Sequence, residues 1–420
     1  MIFQVRKLSS NNLEKSQKKV FFLACIGNVL EFYDFSIFFF LLPSFSDLFF
    51  PAHDHITSVI LGFSIFFLGF LARPIGSIVF GFIGDQRGRR QALSFSLLGM
   101  ALSNVLIAFL PTYFEIGIWA PLALVILRII HGLCIGGEFV GSLIFLVEHI
   151  KGEQGPLYTA CLVSSSILGW FVGSFSCLLL MSVSGSWRIP FLFGGLTGIV
   201  GFVIRKYTQE SSYFINRPVK QRKSFKDLVT IYRLEFFTIF VTGGLIGSLF
   251  YGLFIFPNVY LTELIGLTKE DASQITTIGI GIYMFILPCA GLLAIKLGPY
   301  KLIIYSAILT IFASFPIFLF LSSGSFVLSI FAEFIAAILI ASFIGPASFI
   351  MVQFFPTEVR YTFAGISYNL GVSILGGLFP VICHSLIKWS GYLSIPSAYL
   401  IFCGSLVLLA YSFFIKTKDL

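Results

Sequence analysis

Charged side chains inside apolar stretches are where chemistry is to be sought in this chain. Glu31 and Asp34 sit in Gly27-Asn28-Val29-Leu30-Glu31-Phe32-Tyr33-Asp34-Phe35. Their spacing places both carboxylates on one helix face. Counting from Val20 at 1.5 Å per residue puts them ~16 and ~21 Å along an apolar run, near the middle of a bilayer. Acids at that depth are costly, and they line a pathway or pair with a base. Arg73 lies ~16 Å before the end of its own run at Gly84, so a pair with Glu31 is geometrically open. Two carboxylates one turn apart in a low dielectric resist carrying charge together. The expected division of labour leaves Glu31 charged against Arg73 and makes Asp34 the proton carrier. The plainer alternative is an ion pair that only holds helices together.

A second constellation lies in Arg128-Ile129-Ile130-His131-Gly132-Leu133-Cys134-Ile135-Gly136-Gly137-Glu138. Arg128, His131 and Glu138 fall within about 80° of each other on a helix. One stripe would carry a base, an imidazole and an acid, with Glu138 as a further proton-coupling candidate. A lone buried histidine is most often a satisfied packing residue, and that is the plainer reading of His131. Gly132/Gly136 and Gly137/Gly141 are small-residue pairs suited to close helix packing. Glu333 is the one acid well inside an apolar run of the C-terminal half. Pro288 and Gly345-Pro346 are expected to interrupt their helices and free carbonyls toward a cavity. His53-Asp54-His55 could hold a metal, although a solvated loop is the simpler reading.

The elements that must position these groups follow from composition. The 420 residues are 57% hydrophobic and 11% charged, with a mean hydropathy of +0.97. A soluble domain carries roughly 25% charged residues, so the chain is a polytopic membrane protein. The net charge of +8 does not point to nucleic acid, because the bases occupy short loops between apolar runs. All seven cysteines, Cys25 through Cys403, fall inside apolar runs, which excludes a disulfide framework or a cysteine metal site. Runs of about 20 apolar residues predict twelve spans. Of the 27 Lys and Arg, only Arg188, Lys269 and Lys388 fall in the connections on one side, and Arg73 and Arg128 fall within spans. That asymmetry predicts both termini in the cytoplasm. The expected domains are a cytoplasmic segment 1–19, a six-helix bundle 20–204, a basic cytoplasmic connection 205–234, a second bundle 235–415 and a tail 416–420. Gly291, Lys296, Gly298 and Lys301 look like a worn copy of the turn near residue 85, a trace of internal symmetry.

That turn reads Arg73-Pro74-Ile75-Gly76, then Gly81, Gly84, Asp85, Gly88, Arg89 and Arg90. Gly81 and Gly84 allow close backbones, Gly88 permits a positive-φ turn, and Asp85 can face a helix N-terminus. Glu148 is expected to meet Arg89 or Arg90 at an inner gate. The Gly-x-x-x-Asp-x-x-Gly-Arg-Arg pattern resembles the loop between helices 2 and 3 of the major facilitator superfamily. Arg73-Pro74-x-Gly76 narrows the likeness to its metabolite:proton symporter branch, which includes proline/betaine permeases. Gly27-Asn28-x-x-Glu31-Phe32-Tyr33-Asp34-Phe35, the Arg128 to Glu138 stretch and Trp187-Arg188-Ile189-Pro190-Phe191 resemble the branch too. Trp187 is expected at the headgroups. His131 stands where the family has Gln. In the second half, Phe355-Pro356-Thr357-Glu358-Val359-Arg360-Tyr361 and Tyr368-Asn369 continue the match.

The resemblance implies an all-α membrane protein, twelve helices in two pseudo-symmetric halves, with a solute site between them near mid-membrane. It implies Arg73, Arg128, His131, Glu333, Tyr368 and Asn369 as substrate or ion-pair groups. Gating would fall to Gly81, Asp85, Gly88, Arg89, Arg90, Glu148 and Arg360. The function implied is proton symport of a small polar solute, a zwitterion such as proline or betaine, across a bacterial inner membrane. Symport of a carboxylate such as citrate, 2-oxoglutarate or shikimate is the alternative, and drug:proton antiport is another. No phosphate-binding loop occurs, so the proton gradient, with no cofactor, is the expected energy source. A proton crossing 100 mV supplies about 2.3 kcal/mol. A membrane enzyme is disfavoured because no nucleophile elbow or metal-ligand cluster gathers at one face. The expected partners are the solute, protons and lipid, with the monomer as working unit.

Overall fold

The computed structural model describes residues 2–51, 55–150, 153–184, 186–206, 210–215 and 229–418. The candidate metal ligands His53 and Asp54, and most of the basic connection, lie outside the described residues. Helices make up nearly everything else, as a bilayer requires of backbone that water cannot solvate. In chain order they are α1 (Ile2–Phe49), α2 (His55–Gln86), α3 (Arg89–Phe109), α4 (Trp119–His149), α5 (Gly155–Ser184) and α6 (Arg188–Lys206). There follow α7 (Arg233–Ile265), α8 (Lys269–Leu297), α9 (Pro299–Leu321), α10 (Phe326–Ile350), α11 (Arg360–Ser390) and α12 (Ile395–Lys418). Eleven are long and apolar enough to cross a membrane among the described residues; the apolar part of α6, Arg188–Val203, is shorter and makes the twelfth. The helix of α1 begins well before the apolar run, so the polar segment ahead of span 1 continues it.

Two compact units emerge. The first comprises residues 1–152, 165–217 and 357–362; the second comprises 153–164, 218–356 and 363–420. The two units do not follow the chain strictly, since the first turn of α11 belongs with the N-terminal helices.

Within the first unit, α2 and α4 meet backbone to backbone. A methyl on Gly76 would run into the Leu133 carbonyl, and one on Gly136 into that of Arg73. Ser77 Oγ donates to the Gly136 carbonyl at 2.7 Å across the same contact. Small residues and interhelical hydrogen bonds replace the hydrophobic drive that lipid cannot supply. Near the α1 and α6 ends, Phe38, Phe45, Phe49, Trp187 and Phe191 form an aromatic core. Trp187 stacks on Phe45 with ring centres 5.1 Å apart, and Arg188 covers it from 4.5 Å. The expectation of a headgroup-facing Trp187 is therefore corrected. The ring is buried because Arg188 satisfies its own charge on the Leu110 carbonyl and roofs the indole.

In the second unit, Pro288 and Pro346 lie inside unbroken helices, contrary to expectation. The irregular backbone is instead π-helical, at Tyr251–Ile255 and Tyr260–Ile265 in α7 and at Val372–Gly376 in α11. Pro257 stands just after the first of these, and Gly247 and Gly376 bring α7 and α11 into backbone contact. Ser248 donates to Gly244 and Leu375 carbonyls there, which is how a π turn is tolerated without water. The internal repeat has a conformational counterpart: Gly88 and Gly298 have φ of 111° and 88° and precede α3 and α9 in the same way.

Candidate functional site

The buried charges of the first unit divide into three groups. The first joins α4 to α6. Glu138 forms an ion pair with Arg205, and Ser96 donates to the same carboxylate. Arg205 Nη2 also donates to Ser142 Oγ at 3.2 Å. The sequence assigns Arg205 to a basic loop, but its guanidinium is buried beside Gly27 of α1, where any Cβ would strike it. Gly27 thus makes room for a charge contributed by another helix. Glu31 lies next to this pair, and the charges it feels are, in order, Glu138, Arg205, Arg73 and Asp34.

The second group collects Arg73, Arg128 and His131. Arg73 and Glu31 lie within electrostatic reach of each other. The Arg73 guanidinium lies over the ring of Phe70 at 3.8 Å and that of Phe35 at 4.9 Å, and Arg128 over Phe38 at 3.9 Å. Aromatic faces stabilise a guanidinium that has been taken out of water. His131 is buried within electrostatic reach of both arginines, and neither ring nitrogen has a hydrogen-bond partner among the described residues. It is not the satisfied packing histidine of the plainer reading. The predicted stripe splits: Glu138 turns to Arg205, while Arg128 and His131 gather with Arg73. Asp34 faces away from them, against Asn104 of α3 and Gly194 of α6, where a larger residue would collide with its carboxylate. The Asn104 amide is the polar side chain that faces the Asp34 carboxylate.

The third group is the turn between α2 and α3. Asp85 accepts from Tyr361 N at 3.1 Å, Thr362 N at 2.9 Å and Thr362 Oγ1 at 2.7 Å. It thereby satisfies the orphan donors at the start of α11 and complements the helix dipole there. Gly81 and Gly84 leave the space that Thr362 and Tyr361 occupy. Arg89, fully buried, donates to the Gly84 carbonyl at 2.7 Å, Asp85 at 3.2 Å, Glu148 at 3.1 and 3.0 Å and the Thr357 carbonyl at 2.8 Å. Arg360 also reaches Glu148, at 3.1 Å. Arg89 rather than Arg90 is the partner of Glu148. Arg90 contributes its backbone: Glu210 accepts from the N–H groups of Arg89 and Arg90 at 3.2 and 3.1 Å, capping α3. Ser211 completes the cluster through its 2.6 Å hydrogen bond to Glu148.

In the second unit, Glu333 of α10 is buried against Gly279 of α8, with both oxygens lacking a hydrogen-bond partner among the described residues. Asn369 donates to the Gly365 carbonyl at 3.0 Å, and Tyr368 packs on Gly243. Arg205, Ser96, Ser142, Asn104, Glu210 and Tyr361 are the participants that sequence reasoning missed. A glycine opposite an acid-bearing face, as Gly27 is, was the available signal for Arg205. Nothing local marks Glu210.

The sequence and the fold match known proteins along nearly the whole chain. The family model described as Major Facilitator Superfamily matches residues 24–380. The chain belongs to the Major Facilitator Superfamily. Among curated superfamily relatives, the inner membrane metabolite transport protein YhjE of Escherichia coli is 33% identical over 381 residues, covering 86% of each chain. The proline/betaine transporter of Escherichia coli is 27% identical over 403 residues, 91% of this chain and 80% of the relative. The structure of the proton:xylose symporter XylE superposes with a TM-score of 0.75 at 18% identity, covering 96% of both chains. That of the transporter FucP, in an outward conformation, gives 0.72 at 16%, covering 95% of this chain and 99% of that one. This protein is accordingly an integral membrane transporter of the superfamily and not an enzyme.

Proposed function

We propose that the protein is a proton-coupled symporter for a small solute bearing a carboxylate, a proline- or betaine-like zwitterion first of all, in a bacterial inner membrane. The observation that carries this reading is the pairing of two kinds of buried charge in one unit. Arg73 and Arg128, with the His131 imidazole within their electrostatic reach, concentrate positive charge suited to a carboxylate. Glu31, Asp34 and Glu138 supply buried acids that can take up and release a proton. The relatives named for proline/betaine and metabolite transport support the substrate class. Symport of a carboxylate metabolite of the citrate, 2-oxoglutarate or shikimate type is the second reading, favoured by the concentration of two guanidinium groups and an imidazole. A lipophilic drug would find these buried charges unrewarding. Energy comes from the proton gradient with no bound cofactor, the working unit is the monomer, and both termini lie in the cytoplasm, a reading supported by the excess of Lys and Arg in the connections on that side.

The Asp85 cluster serves in this scheme as a clasp. Residues 357–362 are held when Asp85 and Glu148 are engaged and are released in the alternate state, so the clasp biases a two-state equilibrium. The test is uptake by purified protein in liposomes. Labelled proline, glycine betaine, citrate, 2-oxoglutarate and shikimate are each supplied with and without an imposed pH gradient. Concentrative uptake of proline or betaine only with the gradient is expected. Uptake indifferent to the gradient would sink the proton reading, and uptake confined to citrate or its like would shift the substrate to the second reading.

A further inference from the structure

Tyr361 has contacts that its place in the clasp does not account for. Its backbone N–H is one of the donors to Asp85, but its side chain runs the other way, between α2 and α4. A Cβ on Gly84 would fall on the Tyr361 ring, and one on Gly141 on its hydroxyl. These two glycines, from different helices, are the walls of a slot filled by one phenol. At its end the hydroxyl donates to the Gly137 carbonyl at 2.6 Å. Gly137 is the residue before Glu138. The side chain is 1% exposed, and the charged groups around it are Glu138 of α4, Arg205 of α6, Arg89 of α3 and Asp85 of α2.

We propose that Tyr361 is a positioning residue that couples the Glu138–Arg205 pair to the Asp85 clasp. The hydroxyl fixes the peptide on which Glu138 stands, and the backbone N–H of the same residue fixes Asp85. A change in the Glu138–Arg205 pair that shifts the 137–138 peptide weakens the phenol's seat, and the ring then draws its own N–H from Asp85. Groups able to cause that change face Glu138 from four elements: Arg205 of α6, Ser96 of α3, Ser142 of α4 itself and Glu31 of α1. The inference rests on residues 357–362 acting as a clasp that opens; it does not rest on the identity of the solute or on proton coupling.

The readout is clasp opening in purified full-length protein in detergent, with no solute present. Glu358, half-buried beside the clasp, is replaced by Cys, and its rate of reaction with a hydrophilic maleimide is measured above that of the parent chain. Tyr361→Phe keeps the ring and the N–H and removes one hydrogen bond, so labelling should rise about fivefold, the net worth of such a bond. Glu138→Gln should raise it similarly. The decisive sample is Tyr361→Phe with Glu138→Gln. If the two act through one linkage, the double variant labels no faster than the quicker single. Gly141→Ala, whose methyl meets the ring as well as the hydroxyl, gives an independent check on the slot: it should raise labelling in the parent, and no rise would count against the proposal. Labelling unchanged in Tyr361→Phe, unchanged in Glu138→Gln, or multiplied to about 25-fold in the double variant would overturn the proposal. Failure of the proton reading would show separately, as wild-type uptake indifferent to a pH gradient.

Discussion

Removing Arg205 should cost this protein far more than removing a loop base. Both members of the Arg205–Glu138 pair are buried, with side chains 7% and 0% exposed. Taking one partner away strands a charge in a medium that cannot solvate it, which costs roughly 3–5 kcal/mol. A base in a solvated connection would cost at most about 1 kcal/mol. Arg205→Ala is therefore expected to lose about 3–5 kcal/mol in an SDS titration from mixed micelles. Glu138→Gln combined with Arg205→Met removes both charges and should recover most of the loss, since a neutral pair of similar volume is often as stable as the ions. Gly27→Ala adds a geometric control. Its methyl meets the guanidinium, so it should destabilise the parent by about 1–3 kcal/mol and do little in Arg205→Ala. An Arg205→Ala loss within about 1 kcal/mol would show that the guanidinium is solvated and the reasoning wrong.

Three other outcomes are expected. Asp85→Asn removes the charge that Tyr361 and Thr362 donate to, so solute exchange should slow about tenfold with affinity held within about twofold; the reverse pattern in liposome kinetics would reject the clasp. Gly76→Ala or Gly136→Ala forces a methyl into a facing carbonyl and should cost about 1–3 kcal/mol, with unchanged thermal stability as the contrary result. Asp34→Asn should keep solute counterflow but lose pH-driven accumulation, because exchange needs no net proton movement; loss in Glu31→Gln alone would move the proton to Glu31.

The membrane fold was legible in the sequence because a bilayer allows few solutions. About 20 apolar residues are needed to cross it, and every backbone group must be paired internally. Short-range geometry was legible for the same reason: Gly88 had to turn where it does, and Asp85 sat where a helix start could use it. What could not be read was which way each helix faces. Lipid and protein interior are equally apolar, so span residues are hydrophobic all round and carry no stripe that marks the inside. Pairings across the bundle were therefore decided only by tertiary structure. Arg205 follows Glu138 by a whole pair of helices, and counting bases assigned it to water. Glu31 and Arg73 share a depth, and packing sets the guanidinium over Phe70 and Phe35 and turns Asp34 toward Asn104. Tyr361 lies far along the chain from Gly84 and Gly141, whose shared slot exists only once α2 and α4 are packed. Depth and charge are properties of a segment; partnership in this protein depends on helix rotation, which close contacts between glycines determine.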